Sequence, residues 1–114
     1  MMRVRPLPKS WLIHTIVYEG YAGKDDFQKP SYDAPIAIEF VRHDETTVFS
    51  RDGTQTKIVA NGVIFVDAVH STPIPVLKEE SKIAHNGKNL TLKKIIPIYH
   101  PKKNEVRHYE LEVI

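Results

Sequence analysis

Cysteine is absent from the 114-residue chain, which removes disulfides, thiolate metal sites and cysteine nucleophiles and leaves stability to core hydrophobics and neighbouring subunits. An excess of charge of one sign is absent as well. Sixteen basic and 14 acidic side chains give a formal net charge of +2, far from the field of a dedicated nucleic-acid binder. The longest apolar stretches, such as residues 63–66, are much too short to cross a bilayer. Arg3, Arg5 and Lys9 lie near the N-terminus, but Pro6, Pro8 and Lys9 interrupt what would be the apolar core of a signal peptide. The expectation is a soluble intracellular protein with no membrane partner. Sustained i, i+3, i+4, i+7 periodicity is also missing, so helices are expected to contribute little.

What remains is strand pattern. Hydrophobic residues make up 41% and charged residues 26% of the chain, as in an ordinary globular protein, and the length suits one domain over residues 1–114. Residues 1–10 read as a flexible N-terminal arm. Residues 11–18 alternate with apolar side chains on both faces, the pattern of a strand in a wall with a second contact surface. Residues 19–31, rich in Gly, Asp, Pro and Ser, read as a loop. A second strand follows over 36–43, with Ile36, Ile38 and Phe40 on one face. Residues 44–56 are polar apart from Val48-Phe49 and read as a long loop, which in a small domain points to function or assembly, or else to a surface excursion.

Residues 57–70 return to strand character, with Asn61-Gly62 read as a bend or bulge in one long strand in preference to a hairpin turn. Ser71-Thr72-Pro73-Ile74-Pro75 excludes a central strand, because each proline removes a ladder donor. Residues 76–80 suit one short helical turn. The C-terminal 34 residues form a three-strand unit, 81–85, 88–96 and 106–114, with a type I′ turn at Asn86-Gly87. In its last strand Tyr109, Leu111 and Val113 share a face. The fold class is all-β: a small barrel or sandwich of about six short strands with a long polar loop.

The residues for chemistry are scattered. None of the six histidines, His14, His43, His70, His85, His100 and His108, falls into a metal-binding spacing, and His100 with His108 across a turn would still want a third ligand. Ser50, Asp67 and His70 have no nucleophile elbow. Asp25-Asp26 and Glu79-Glu80 sit in turn-like, solvated surroundings. No glycine-rich phosphate cradle is present. Lys88, Lys93, Lys94, Lys102, Lys103 and Arg107 with Tyr99 and Tyr109 suggest a strand-binding barrel, but Glu105, Glu110 and Glu112 interrupt the basic stripe. No catalytic residue, cofactor or metal site is expected, and the protein is read as a non-enzyme.

One resemblance spans nearly the whole chain. Trp11-Leu12-Ile13-His14, Thr47-Val48-Phe49-Ser50-Arg51-Asp52, residues 57–68, Ser81-Lys82-Ile83 before Asn86-Gly87-Lys88, and the terminal His108-Tyr109-Glu110-Leu111-Glu112-Val113-Ile114 resemble the small minor capsid proteins of siphophages and prophages of Gram-positive bacteria. The closing hairpin and last strand are also similar to head-closure, or stopper, proteins of tailed-phage connectors. The resemblance implies a structural protein of the virion, made in the host cytoplasm. Its expected partners are copies of itself in a ring and connector proteins on the adaptor or portal side and on the tail side. Non-specific contact with packaged DNA is also implied. By the same resemblance the 44–56 loop becomes the channel or assembly element, with Arg42, Arg51, Asp52 and Lys57 as its candidate residues. The alternatives are a tail-completion or capsid-decorating protein of the same pathway, or a small barrel that binds nucleic acid.

Overall fold

The computed structural model describes residues 8–52, 55–102 and 104–114, and the side chains of all of these except 50–52 and 55–59. Six strands close a barrel: β1 (His14–Glu19), β4 (Ile36–Asp44), β7 (Gly62–Asp67), β10 (Val106–Val113), β9 (Lys88–Tyr99) and β8 (Lys82–His85), paired in that spatial order and all antiparallel. The remaining strands form two hairpins outside it, β2 (Tyr21–Lys24) with β3 (Pro30–Tyr32), and β5 (Val48–Asp52) with β6 (Gln55–Ala60). The all-β expectation therefore holds, and the barrel is the form it takes.

The interior is filled by inward-facing side chains at alternate positions. Ile16 and Tyr18 of β1, Ile38 and Val41 of β4, Ile64 and Val66 of β7, Ile83 of β8, Leu92 of β9 and Leu111 and Val113 of β10 are essentially inaccessible and form one cluster. Burying each such aliphatic side chain contributes roughly 1.5–3 kcal/mol relative to leaving it exposed. Tyr109 packs against the same cluster from the strand face it shares with Leu111 and Val113.

Among the described residues, two of the barrel's three register shifts bring core residues of β4 and β9 inward. Between the β1–β4 pairs His14↔Val41 and Ile16↔Ile38, β4 carries one residue more than β1, and Phe40 has a φ of 57°. The inward parity of β4 switches there, from Ile36 and Ile38 to Val41 and His43. Phe40, expected on the face of Ile38, instead turns outward beneath the Lys9 ammonium, 4.3 Å from the ring centroid. A similar extra residue at Lys93 lets Leu92 and Ile95 of β9 both reach the core. Bulges of this kind bend a strand and increase its twist, which helps a small sheet to close.

The C-terminal unit has the expected arrangement, with Asn86 at φ 52° and Gly87 at φ 78° in the β8–β9 turn, the positive values that a type I′ turn requires. Asn61 separates β6 from β7, which do not pair with each other, so Asn61-Gly62 is a bend in a long strand as expected. Four expectations are corrected. Residues 19–31 contain a hairpin, because Asp25 Oδ1 accepts from the Phe27 and Lys29 amides and folds the polar segment back on itself. Residues 76–80 form no helical turn. The first strand begins at His14, since the Trp11 amide donates to the Pro8 carbonyl in a 3₁₀ turn, Lys9–Trp11. The polar segment 44–56 is likewise mostly hairpin, as described below.

The crossing segment between β7 and β8 is fixed by a buried polar node. Ser81 Oγ donates to the Lys78 carbonyl (2.6 Å) and accepts from the Tyr21 amide (2.9 Å), while the Tyr18 hydroxyl lies 3.0 Å from Ser81 Oγ and accepts from the Lys78 amide (2.8 Å). Both side chains are shielded from water, so removing the hydroxyl strands partners that have no solvent to turn to. Tyr18→Phe is expected to lower stability by about 1–3 kcal/mol in urea denaturation, with an unchanged m-value. A loss of only a few tenths would show that the node does not hold the crossing segment.

Candidate assembly site: the arm and its root

The apolar pair Val48-Phe49, isolated in the sequence, finds its partners across a ladder. Val48 pairs with Ala60, Phe49 with Ile58, Ser50 with Lys57, Arg51 with Thr56 and Asp52 with Gln55. The β-branched residues of both segments favour extended backbone, and Asp52-Gly53, where the first segment ends, is a turn signal that could have found this hairpin in the sequence. The segment expected as a loop is thus an arm of two strands, leaving the barrel after Asp44 and rejoining it at Gly62.

The arm leaves from the end of the barrel where β4 and β10 finish and β7 begins. There the Asn61 amide donates to the Val113 carbonyl (2.8 Å). The His43 ring lies flush against Gly62. A Cβ added to Gly62 would come within 2.7 Å of His43 Nε2 and 3.2 Å of the Asp44 carbonyl oxygen. His43, near the end of β4, therefore packs directly against the start of β7, where the returning leg of the arm rejoins the barrel. Beside this root Lys88 Nζ pairs with Glu45 Oε1 at 2.8 Å, and that hydrogen bond, with the lysine charge, holds the Glu45 carboxyl below its ordinary pKa. Burial first, and then the neighbouring His85, push His43 below the ordinary histidine value.

The candidate residues separate into two places. Arg51, Asp52 and Lys57 come together on the arm by backbone register, and their side chains lie outside the described residues. Arg42 sits apart, on the outer wall of the barrel. Its guanidinium stacks over the Trp11 ring at 4.6 Å, donates from Nη1 to the Trp11 carbonyl (3.3 Å) and pairs through Nε with Asp44 (2.8 Å). Trp11 in turn meets Phe65 of β7 at 5.0 Å. These contacts lay the 3₁₀ turn over β4 and β7. Exposed apolar side chains occur on the arm and on the N-terminal side of the barrel: Phe49 is 60% exposed, Ile13 67% and Val17 37%.

Groups weighed for chemistry are engaged structurally. The Asp67 carboxylate accepts from the amides of Val69 and His70 and caps a turn at the barrel end opposite the arm, remote from Ser50. Glu80 pairs with Lys93, and Lys78 with Asp33. His108 Nε2 lies 3.3 Å from Glu110, while His100 Nδ1 accepts from the Lys102 amide. Among the described residues no three His, Asp or Glu side chains gather in a way that would hold a metal ion. No helix among them is long and apolar enough to cross a membrane. The histidines that do meet are His14, His43 and His85, a set that sequence spacing could not reveal.

Replacing Arg42 with Ala removes its stacking on Trp11, whereas its ion pair with the partly exposed Asp44 adds little. The expected cost is about 1 kcal/mol, within the usual range for cation–π contacts. Trp11 is the single tryptophan, so its emission should shift to the red as the 3₁₀ turn lifts. Unchanged emission and stability would show that Arg42 does not hold the turn.

Comparison with known proteins places the chain. It is 31% identical over 117 residues to the "Uncharacterized protein ORF5" of Lactococcus phage LL-H, covering 96% of this chain and 98% of that one. A protein of the same description from Lactococcus phage mv4 is 33% identical over 98 residues, covering 79% and 85%. No solved structure matches. The model of the "Minor capsid protein" family matches residues 8–113, and the chain therefore belongs to the minor capsid protein family, with a structural role in the virion.

Proposed function

We propose that the protein is a ring-forming subunit of the head-to-tail connection, of the stopper type, which helps retain packaged DNA and offers a surface for the tail. The observation that carries this reading is the β5–β6 arm. It projects from a closed barrel, and among the described residues neither arm strand pairs with a barrel strand. Closure pairs the two outer strands of the sheet, β1 and β8, with each other, whereas a two-stranded hairpin keeps two free edges and is marginally stable without further packing. Side-to-side contacts between an arm and the wall of the next copy are heterologous, and such contacts close into rings by rotation. Exposed Ile13 and Val17 beside the N-terminal turn supply apolar wall for that contact, and Phe49 supplies apolar arm.

Within this reading Arg51, Asp52 and Lys57 on the arm meet the neighbouring ring or the channel. Arg42 contributes indirectly, by fixing the barrel wall near the arm's root. Any contact of Arg51 and Lys57 with DNA would be electrostatic and independent of sequence. The paired lysines Lys78, Lys88 and Lys93 and the packing of Tyr109 against the core leave little of a stacking platform for a free-standing nucleic-acid binder.

The test is complementation of a phage lacking the protein. A variant in which residues 48–59 are replaced by a short Gly/Ser turn should fold but yield heads that lose DNA or lack tails, and the intact protein should be found at the head–tail junction. Normal infectious titre from the arm-less variant would overturn the proposal. Intact protein spread over the head surface would instead mark a capsid-decorating role. Fluorescence anisotropy of the isolated chain with oligonucleotides should show negligible binding, and tight, salt-sensitive binding would favour the nucleic-acid alternative.

A further inference from the structure

Three histidines from separate parts of the sequence converge where the arm joins the barrel. The His43 backbone amide donates to His14 Nδ1 (3.0 Å), and His43 Nδ1 lies 2.8 Å from His85 Nδ1. The His85 ring stands edge-on to both neighbours, with centroids 4.7 Å from His14 and 4.9 Å from His43. Each ring comes from a different strand, His14 opening β1, His43 near the end of β4 and His85 closing β8. The cluster thus ties three strands together beside the arm, with His43 wedged against Gly62 on the returning leg.

The hydrogen bonds dictate the protonation state. Two Nδ1 atoms at 2.8 Å share one hydrogen, donated by one ring and accepted by the other. A second proton on the pair would set two N–H groups against each other. Because His14 Nδ1 accepts from a backbone amide, its own proton lies on Nε2, and the doubly protonated ring cannot keep that bond. The charged groups facing the cluster are few. Glu45 from the β4–β5 link favours the protonated form of His43, Lys88 from β9 opposes it, and Gly62 from β7 brings no charge. Glu45 is already neutralised by Lys88.

We propose that His14, His43 and His85 form a proton-operated latch, which fixes the root of the β5–β6 arm while the rings are neutral and releases it when the His43–His85 pair takes up a second proton. The direction of the linkage agrees. Burial is the largest influence lowering both His43 and His85, so the unfolded chain binds more protons than the folded one as the pH drops below the ordinary value of 6.5. The stability these rings contribute is complete above that value and is lost as the pH falls from it through their lowered folded values. The repulsion arises where the rings are, at the strand ends beside the arm's root, with the His43 ring against Gly62. The latch holds whatever the arm touches, so its test in the isolated chain is independent of the connector reading.

The test is an NMR titration of the full chain from pH 8 to 5, following histidine ring nitrogens and backbone amides, with His85→Gln and His43→Gln alongside. His43 and His85 should titrate below 6.5, and the amides of Asp44, Val48, Ala60 and Gly62 should shift with their midpoints. The amides of Val69 and Lys102, toward the other end of the barrel, should not follow those midpoints. In His85→Gln the His43 midpoint should rise, and the shift of the root amides should move with it. If His43→Gln does not fold, His85→Gln and the unaltered chain decide the matter. Root amides that stay still while His43 and His85 titrate, or that shift at the same pH in the unaltered chain and His85→Gln, would overturn the latch.

Discussion

The pairing of β1 with β8 is the contact on which the rest of the structure depends. Only three register pairs, Val17↔Ala84, Tyr18↔Ile83 and Glu19↔Lys82, turn a six-stranded sheet into a barrel, and without them both strands would present open edges. The short seam is reinforced from both sides. Ile16, Tyr18 and Ile83 add buried apolar surface, and the hydroxyls of Tyr18 and Ser81 tie the crossing segment to the same place. A polar group buried there is tolerable because it is partnered, and its partners are what fix the register.

Closure divides the molecule. The six barrel strands pair with one another around a closed ring, while the arm strands pair only with each other among the described residues. A small chain without cysteine has no covalent means of stiffening such a projection. The arm's root is held instead by close packing of His43 on Gly62 and by the Asn61 hydrogen bond to the end of β10. On the outer wall Trp11, Arg42 and Phe65 form a second, smaller layer that anchors the N-terminal turn. For a minor capsid protein, the proposed ring contact would thus fall to the arm, whose outer edges pair with no barrel strand among the described residues.

Much of this was legible in the residues and some of it was not. Asn86-Gly87 between alternating segments announced the β8–β9 hairpin, and Asn61-Gly62 announced a bend, because both depend on local backbone preference. Phe40 was misplaced because a bulge shifts parity, and nothing in the neighbouring side chains marks where the extra residue falls. The two outer hairpins were hidden by polar composition. Strands with little core to face need no apolar alternation, so periodicity has nothing to detect in them. The meeting of His14, His43 and His85 is a product of strand order, which brings together positions far apart in the chain. Of the candidate residues, Arg51, Asp52 and Lys57 share one hairpin ladder, whereas Arg42, one strand earlier, is committed to Trp11.

A barrel complete in itself and an arm that is not would differ in how their amides open to solvent. Native-state hydrogen exchange on the isolated chain measures this residue by residue. The amides in the β1–β8 seam and in β7 and β10 should exchange only through global unfolding, while the ladder amides of β5 and β6 should exchange through a local opening of much lower free energy. Equal protection of arm and barrel in the isolated chain would contradict it, since the arm would then be a fully stabilised part of the fold with nothing left for a partner to complete.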